Sequence, residues 1–132
     1  LESGNTESGN LGRTGRPADE FRNRTKRFAG DVIRLFIRLP KARDEVRVIG
    51  KQLLRSGTSV AAHVREASRA RSDEEFVSKL GVALQEADES QLWLELLNEE
   101  CGIPAGEIHP LTREADELLA IITTIIHRTK NR

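Results

Sequence analysis

Three histidines, one cysteine and a Gly-Lys pair are the residues of this 132-residue chain from which catalysis would most readily be built. Spacing argues against each. His63, His109 and His127 fall in different segments, and an isolated helical histidine serves structure or surface more often than acid–base chemistry. Glu107 and His109 are two apart, whereas di-iron bundles place Glu and His three apart. No His-Glu-x-x-His occurs. A phosphate loop ending at Gly50-Lys51 would need glycine at position 45, which is Glu45. Arg55 and His63 have seven residues between them, too many for the close Arg–His pair of helical ribonucleases. Cys101 lies at an expected helix end without a basic neighbour to stabilise a thiolate, so it reads as a spare thiol. The expectation is a protein that is not an enzyme, with no cofactor and no metal.

Binding chemistry is better represented. Arg27, Arg34 and Arg38 share a flank of the first expected helix. Arg43, Arg47 and Lys51 step by four along the second. Residues 22–55 hold 11 Lys and Arg against 3 Asp and Glu, while residues 73–107 hold 1 against 10, within a net charge of zero. Such a dipole suits either a basic surface for nucleic acid or complementary charge between helices of one fold. Phosphate contacts need no sequence readout. No aromatic side chain is interleaved among these cations for base stacking, which argues against a sequence-specific reader of single strands.

The elements that must carry these residues are helices. Apolar residues make up 37% and aromatics 4%, a mix that favours helices over a β-sandwich. Residues 1–18 hold four glycines and little that is apolar, so they read as a flexible tail or linker; Gly9, Gly12 and Gly15 have the wrong spacing for a dinucleotide loop. The first helix is expected over 19–39, where Phe21, Thr25, Phe28, Val32, Leu35 and Leu39 form one stripe and Pro40 ends it. The second is expected over 41–71, with Val46, Ile49, Leu53, Val60, Val64 and Ala67 inward. Gly57 falls in its middle, where glycine costs about 1 kcal/mol against alanine unless a neighbour approaches closely. Ser72 to Glu75 is a capping box opening the third helix. There Phe76, Leu80, Ala83, Ala87, Ser90, Leu94 and Leu97 recur at helical spacing, and Gly102-Ile103-Pro104 closes the segment. The fourth is expected from Pro110, with Leu111, Ala115, Leu118, Ile122 and Ile125 inward. The reading is all-α: an antiparallel up-and-down four-helix bundle over residues 19–132.

Two further stripes flank the core. Gln52, Ser56, Ser59 and His63 line the second helix; Lys79, Val82, Glu86, Glu89 and Trp93 line the third. A hairpin turn near 71–73 places Ser59 opposite Glu86, Glu66 opposite Lys79 and Gln52 opposite Trp93. These residues form either a solvated flank or a polar seam or interface. Trp93 among small serines favours a partly buried seam, with Glu86 bonded to Ser59 or Ser56. Trp93 is also the candidate anchor for an oligomer contact. The longest nearly apolar run, residues 118–126, is far below the roughly 18 residues of a membrane span, and no signal peptide is visible. With one cysteine, the cytoplasm is the expected compartment.

The stretch from Gln52 to Ala67 (QLLRSGTSVAAHVREA), with Ser72, Phe76, Lys79-Leu80, Glu86-Ala87, Glu89 and Trp93-Leu94, resembles the bacterial four-helix bundle family of 23S rRNA intervening-sequence proteins. The likeness covers about residues 24–129. It departs at His63 and Ser90, where the family usually has Asn and Thr. The resemblance implies a homopentamer of up-and-down bundles and no established enzymatic activity. It also implies partners: related accessory proteins of diversity-generating retroelements bind RNA and a reverse transcriptase. The functional expectation is a non-catalytic oligomeric scaffold that binds nucleic acid, RNA above all, through the basic first and second helices. The alternative is a protein adaptor, for example for a reverse transcriptase.

Overall fold

The computed structural model describes residues 19–132, and the expected tail over 1–18 lies outside them. Four helices follow in order: α1 Asp19–Arg38, α2 Asp44–Ser68, α3 Asp73–Glu99 and α4 Ala105–Lys130. There is no strand among the described residues. Short turns force consecutive helices antiparallel, and the apolar stripes then close on one another as a four-helix bundle. Among neighbouring helices, contact is densest between α2 and α3 and sparsest between α1 and α4.

The stripes are the core. Phe21, Thr25, Phe28, Val32, Leu35 and Leu39 are all buried, as are all seven stripe residues of α3 from Phe76 to Leu97. In α2 only Ile49 remains partly exposed while packing on the core. At Gly57 a neighbour does approach closely. A Cβ built there would lie 2.8 Å from Val32 Cγ2 and 3.0 Å from Cγ1. The missing side chain lets α1 and α2 pack at that level.

Helix boundaries depart from the sequence expectation at three places. α2 begins at Asp44 rather than residue 41, because Lys41 is occupied in ending α1. Its Nζ donates to the carbonyls of Phe36 (2.7 Å) and Leu39 (2.8 Å), at the negative end of that helix. α2 stops at Ser68, and residues 69–72 form the turn. There Ser72 Oγ accepts from the Glu75 amide at 3.0 Å, while the Glu75 carboxylate takes the Arg71 amide at 2.8 Å instead of the Ser72 amide. α4 begins at Ala105, five residues before Pro110. Gly102, at φ +73°, turns the chain, and Ile103 N–H reaches back to the Leu97 carbonyl at 2.9 Å. Ile108 is then buried one turn ahead of Leu111, which extends the α4 stripe and outweighs the proline's missing donor.

Candidate nucleic-acid interface

Of the neighbouring helices α1 and α4 touch least, and a groove made of three adjoining hollows that share lining residues runs along them. Its first stretch is lined by Arg24, Arg27, Asp31, Arg34, Pro110 and Glu114. The second adds Arg38, Gly106 and Glu107. The third passes Arg38, Arg43 and Pro104 at the end of the bundle where the α1–α2 and α3–α4 turns meet. Four of the six expected cations, Arg27, Arg34, Arg38 and Arg43, are thus brought to one groove.

Arg47 and Lys51 are not. α2 turns Gly50 and Gly57 toward α1, which leaves Arg47 and Lys51 on its outer side, away from α4. The basic face expected across the first two helices is therefore divided. Its larger part lies between the first and last helices.

Most groove arginines are paired within the chain. Arg34 donates to Asp31 at 2.6 Å and Arg38 to Glu107 at 2.9 Å. Arg43 donates to Glu45 at 2.8 Å and to the Cys101 carbonyl at 2.9 Å. On α2, Arg47 pairs with Asp44 at 2.8 Å. These pairs are exposed, and exposed pairs contribute about 0–1 kcal/mol each, so a polyanion can displace the carboxylates. Arg27 has no ion pair among the described residues. Arg24 is different. Its guanidinium bonds Glu114 at 2.7 and 2.9 Å and Glu117 at 2.6 Å. The Glu114 bonds, then Glu117, hold its pKa above the ordinary arginine range against the opposing effect of burial. Arg24 staples α1 to α4 rather than standing ready for a ligand. The sequence reading missed it, because no short turn fixes the register of α1 against α4; the Glu114–Glu117 pair, one turn apart, was the available signal.

The polar seam follows the α2–α3 contact, buried at its centre and exposed at Gln52, Glu66 and Glu89. Ser56 and Ser90 are buried with their hydroxyls 2.8 Å apart, and Ser90 also donates to the Glu86 carbonyl at 2.8 Å. Lys79 pairs with Glu66 at 3.0 Å, as the hairpin register required. That hydrogen bond, with the ammonium charge, lowers the pKa of the Glu66 carboxyl. Glu86 is mostly buried, with its side chain 15% exposed, but its carboxylate bonds neither Ser59 nor Ser56. Arg55 takes it, at 3.4 Å, together with Glu89 at 2.9 Å. A long guanidinium reaches two carboxylates one turn apart where a serine reaches none. His63 Nδ1 donates to the Ser59 carbonyl at 2.9 Å, which leaves Nε2 as the free ring nitrogen. Gln52 is exposed, while Ser59 and Val82 are half-buried. Trp93 packs on the chain's own core, with its Nε1 sealed and without an acceptor.

Among the described residues no group of three or more His, Cys, Asp or Glu could hold a metal ion. No described helix is long and apolar enough to cross a membrane. Cys101 is buried and free.

The chain matches no curated protein. Among solved structures it is similar to a protein of unknown function from the S23 ribosomal protein family of Bacteroides thetaiotaomicron. The two are 34% identical, with a TM-score of 0.74, over 80% of this chain and 94% of that one. The family model described as 23S rRNA-intervening sequence protein matches residues 20–124. That match spans α1, α2, α3 and most of α4, including the seam and the groove arginines, and the chain belongs to the 23S rRNA-intervening sequence protein family.

Proposed function

We propose that this protein is a non-catalytic, self-assembling scaffold of the cytoplasm that binds nucleic acid, RNA in particular, along the α1–α4 groove. The observation that carries the reading is the run of Arg27, Arg34, Arg38 and Arg43 along one groove. Successive phosphates would exchange for Asp31 and Glu107, releasing counterions without reading bases. The family's name, which ties it to sequences within 23S rRNA, supports RNA over DNA. A homopentamer would repeat the groove and multiply a weak contact by avidity.

The test is fluorescence anisotropy of a labelled RNA oligonucleotide over a salt series. Changing Arg27, Arg34 and Arg38 to Gln should weaken binding and flatten the salt slope by up to about one unit per lost phosphate contact. Asp31→Asn with Glu107→Gln should tighten it by freeing Arg34 and Arg38. No binding by the unmodified chain at low salt would sink the reading. The second reading is a protein adaptor, for a reverse transcriptase or another subunit, without direct nucleic-acid contact. It is favoured by exposed aliphatic side chains outside the groove, and it requires binding that is insensitive to salt and lost when those side chains are changed.

A further inference from the structure

Four large aliphatic residues stand well out of the described surface: Ile33 at 41% exposure, Ile37 at 67%, Val48 at 55% and Leu92 at 47%. They fall into two patches of opposite charge. Ile33 and Ile37 lie one turn apart on α1, beside half-buried Phe36. The contacts of Gly57 with Val32 and of Gly50 with Leu39 set the α1–α2 register, which puts Ile37 level with Lys51. Lys26 lies seven residues before Ile33, on the same side of α1. Lys26 and Lys51 are exposed and make no ion pair among the described residues.

The second patch belongs to α2 and α3. The Ser56–Ser90, Arg55–Glu89 and Glu66–Lys79 contacts set that register. It puts Gln52 level with Trp93 and Val48 level with Leu96 and Leu97. Val48, Leu92 and half-buried Trp93 and Leu96 are thereby gathered at one end of the α2–α3 face. Asp88, Glu95 and Glu99 follow the Leu92 side of α3, exposed and without an ion pair among the described residues.

We infer that the Ile33–Ile37 patch of one copy packs head to tail on the Val48–Leu92–Trp93 patch of a second copy, with Lys26 and Lys51 facing Asp88, Glu95 and Glu99. This rests on the assembly half of the proposed function and names the surfaces that meet. The occupant is a second copy because both halves of the match, apolar and ionic, are present on this one chain. Each patch is too narrow for the broad apolar face with which a helix enters a membrane surface. Aliphatic side chains also lack the π-face on which bases stack. The two patches are different surfaces, so the contact is heterologous and repeats from copy to copy; a rotation that closes makes a ring. Burying Ile37, Leu92 and the exposed edge of Trp93 would supply the apolar centre, and the flanking charges would set the direction.

Two variants test this by light scattering at a fixed micromolar concentration, with circular dichroism confirming native helix content. One carries Ile37→Asp and Lys51→Glu; the other carries Leu92→Lys and Glu95→Lys. The unmodified chain is expected to run as a multimer and each variant alone at the mass of one chain. An equal mixture should recover at least a two-chain species, since each variant keeps the patch that the other lacks. An assembled parent whose mass neither variant changes overturns the inference and leaves the assembly reading standing. Loss with the first variant alone indicates α1 meeting α1, and loss with the second alone α3 meeting α3. Either result overturns the head-to-tail contact, as does a mixture that fails to recover. A monomeric parent overturns the inference and the assembly reading together, while the groove arginines, untouched in both variants, still report RNA binding separately.

Discussion

Gly57→Ala should destabilise this protein even though alanine is the better helix former. In an open helix interior the change would gain about 1 kcal/mol. Here the new Cβ would lie 2.8, 3.0 and 3.2 Å from Val32 Cγ2, Cγ1 and Cβ. Val32 is fully buried, and a β-branched residue in a helix has one strongly preferred χ1, so it has no free rotamer into which to retreat. Relief must come from spreading α1 from α2, and overpacking of that kind costs about 1–3 kcal/mol. Set against the propensity gain, the net loss should be up to about 2 kcal/mol. Gly81→Ala is the control. Its Cβ would meet nothing within 4 Å, so it should stabilise by about 0.5–1 kcal/mol. Urea titrations followed by circular dichroism, at one protein concentration because any self-association would couple to stability, should move the two midpoints in opposite directions at unchanged slope. A Gly57→Ala midpoint that rises with that of Gly81→Ala would refute the close approach. Adding Val32→Ala to Gly57→Ala should then show coupling between the two sites, since each relieves the other's misfit.

Two further outcomes follow from the seam. Ser56→Ala should cost about 1 kcal/mol, because Ser90 keeps its bond to the Glu86 carbonyl. Ser56→Ala with Ser90→Ala should cost less than the sum of the single changes in a denaturation cycle, since no hydroxyl is then left without its neighbour; additivity would mean the hydroxyl pair is not formed. Lys79→Gln should return the Glu66 carboxyl toward its ordinary pKa in an NMR titration, because the hydrogen bond from Lys79 is the first cause of its lowering. The sign follows from linkage. A depressed folded pKa contributes stability above the unfolded carboxyl pKa, and that contribution is lost as pH falls through the folded value. The unmodified chain should therefore lose this increment in acid, and Lys79→Gln should have little of it to lose.

What was legible in the sequence follows the distance between the groups concerned. The core stripes were readable because a helix repeats its inward face on its own, so Phe21 through Leu39 and Phe76 through Leu97 needed no knowledge of their neighbours. The α2–α3 pairing was readable one step further, because residues 69–72 are too few to allow slippage, and Lys79 duly meets Glu66. That register gives level but not reach: it set Ser59 against Glu86, where the longer Arg55 side chain takes the carboxylate. Pro110 misled for a related reason. Local preference puts proline in the first turn, but burial of Ile108 in the core carries α4 back to Ala105. α1 and α4 are the first and last elements and share no turn, so nothing local sets Arg24 on Glu114 or Arg38 on Glu107. The groove that gathers the arginines lies between them. The same lack of a connecting turn that leaves α1 and α4 loosely joined, and so opens a groove, also hid the groove from a reading built on neighbouring elements.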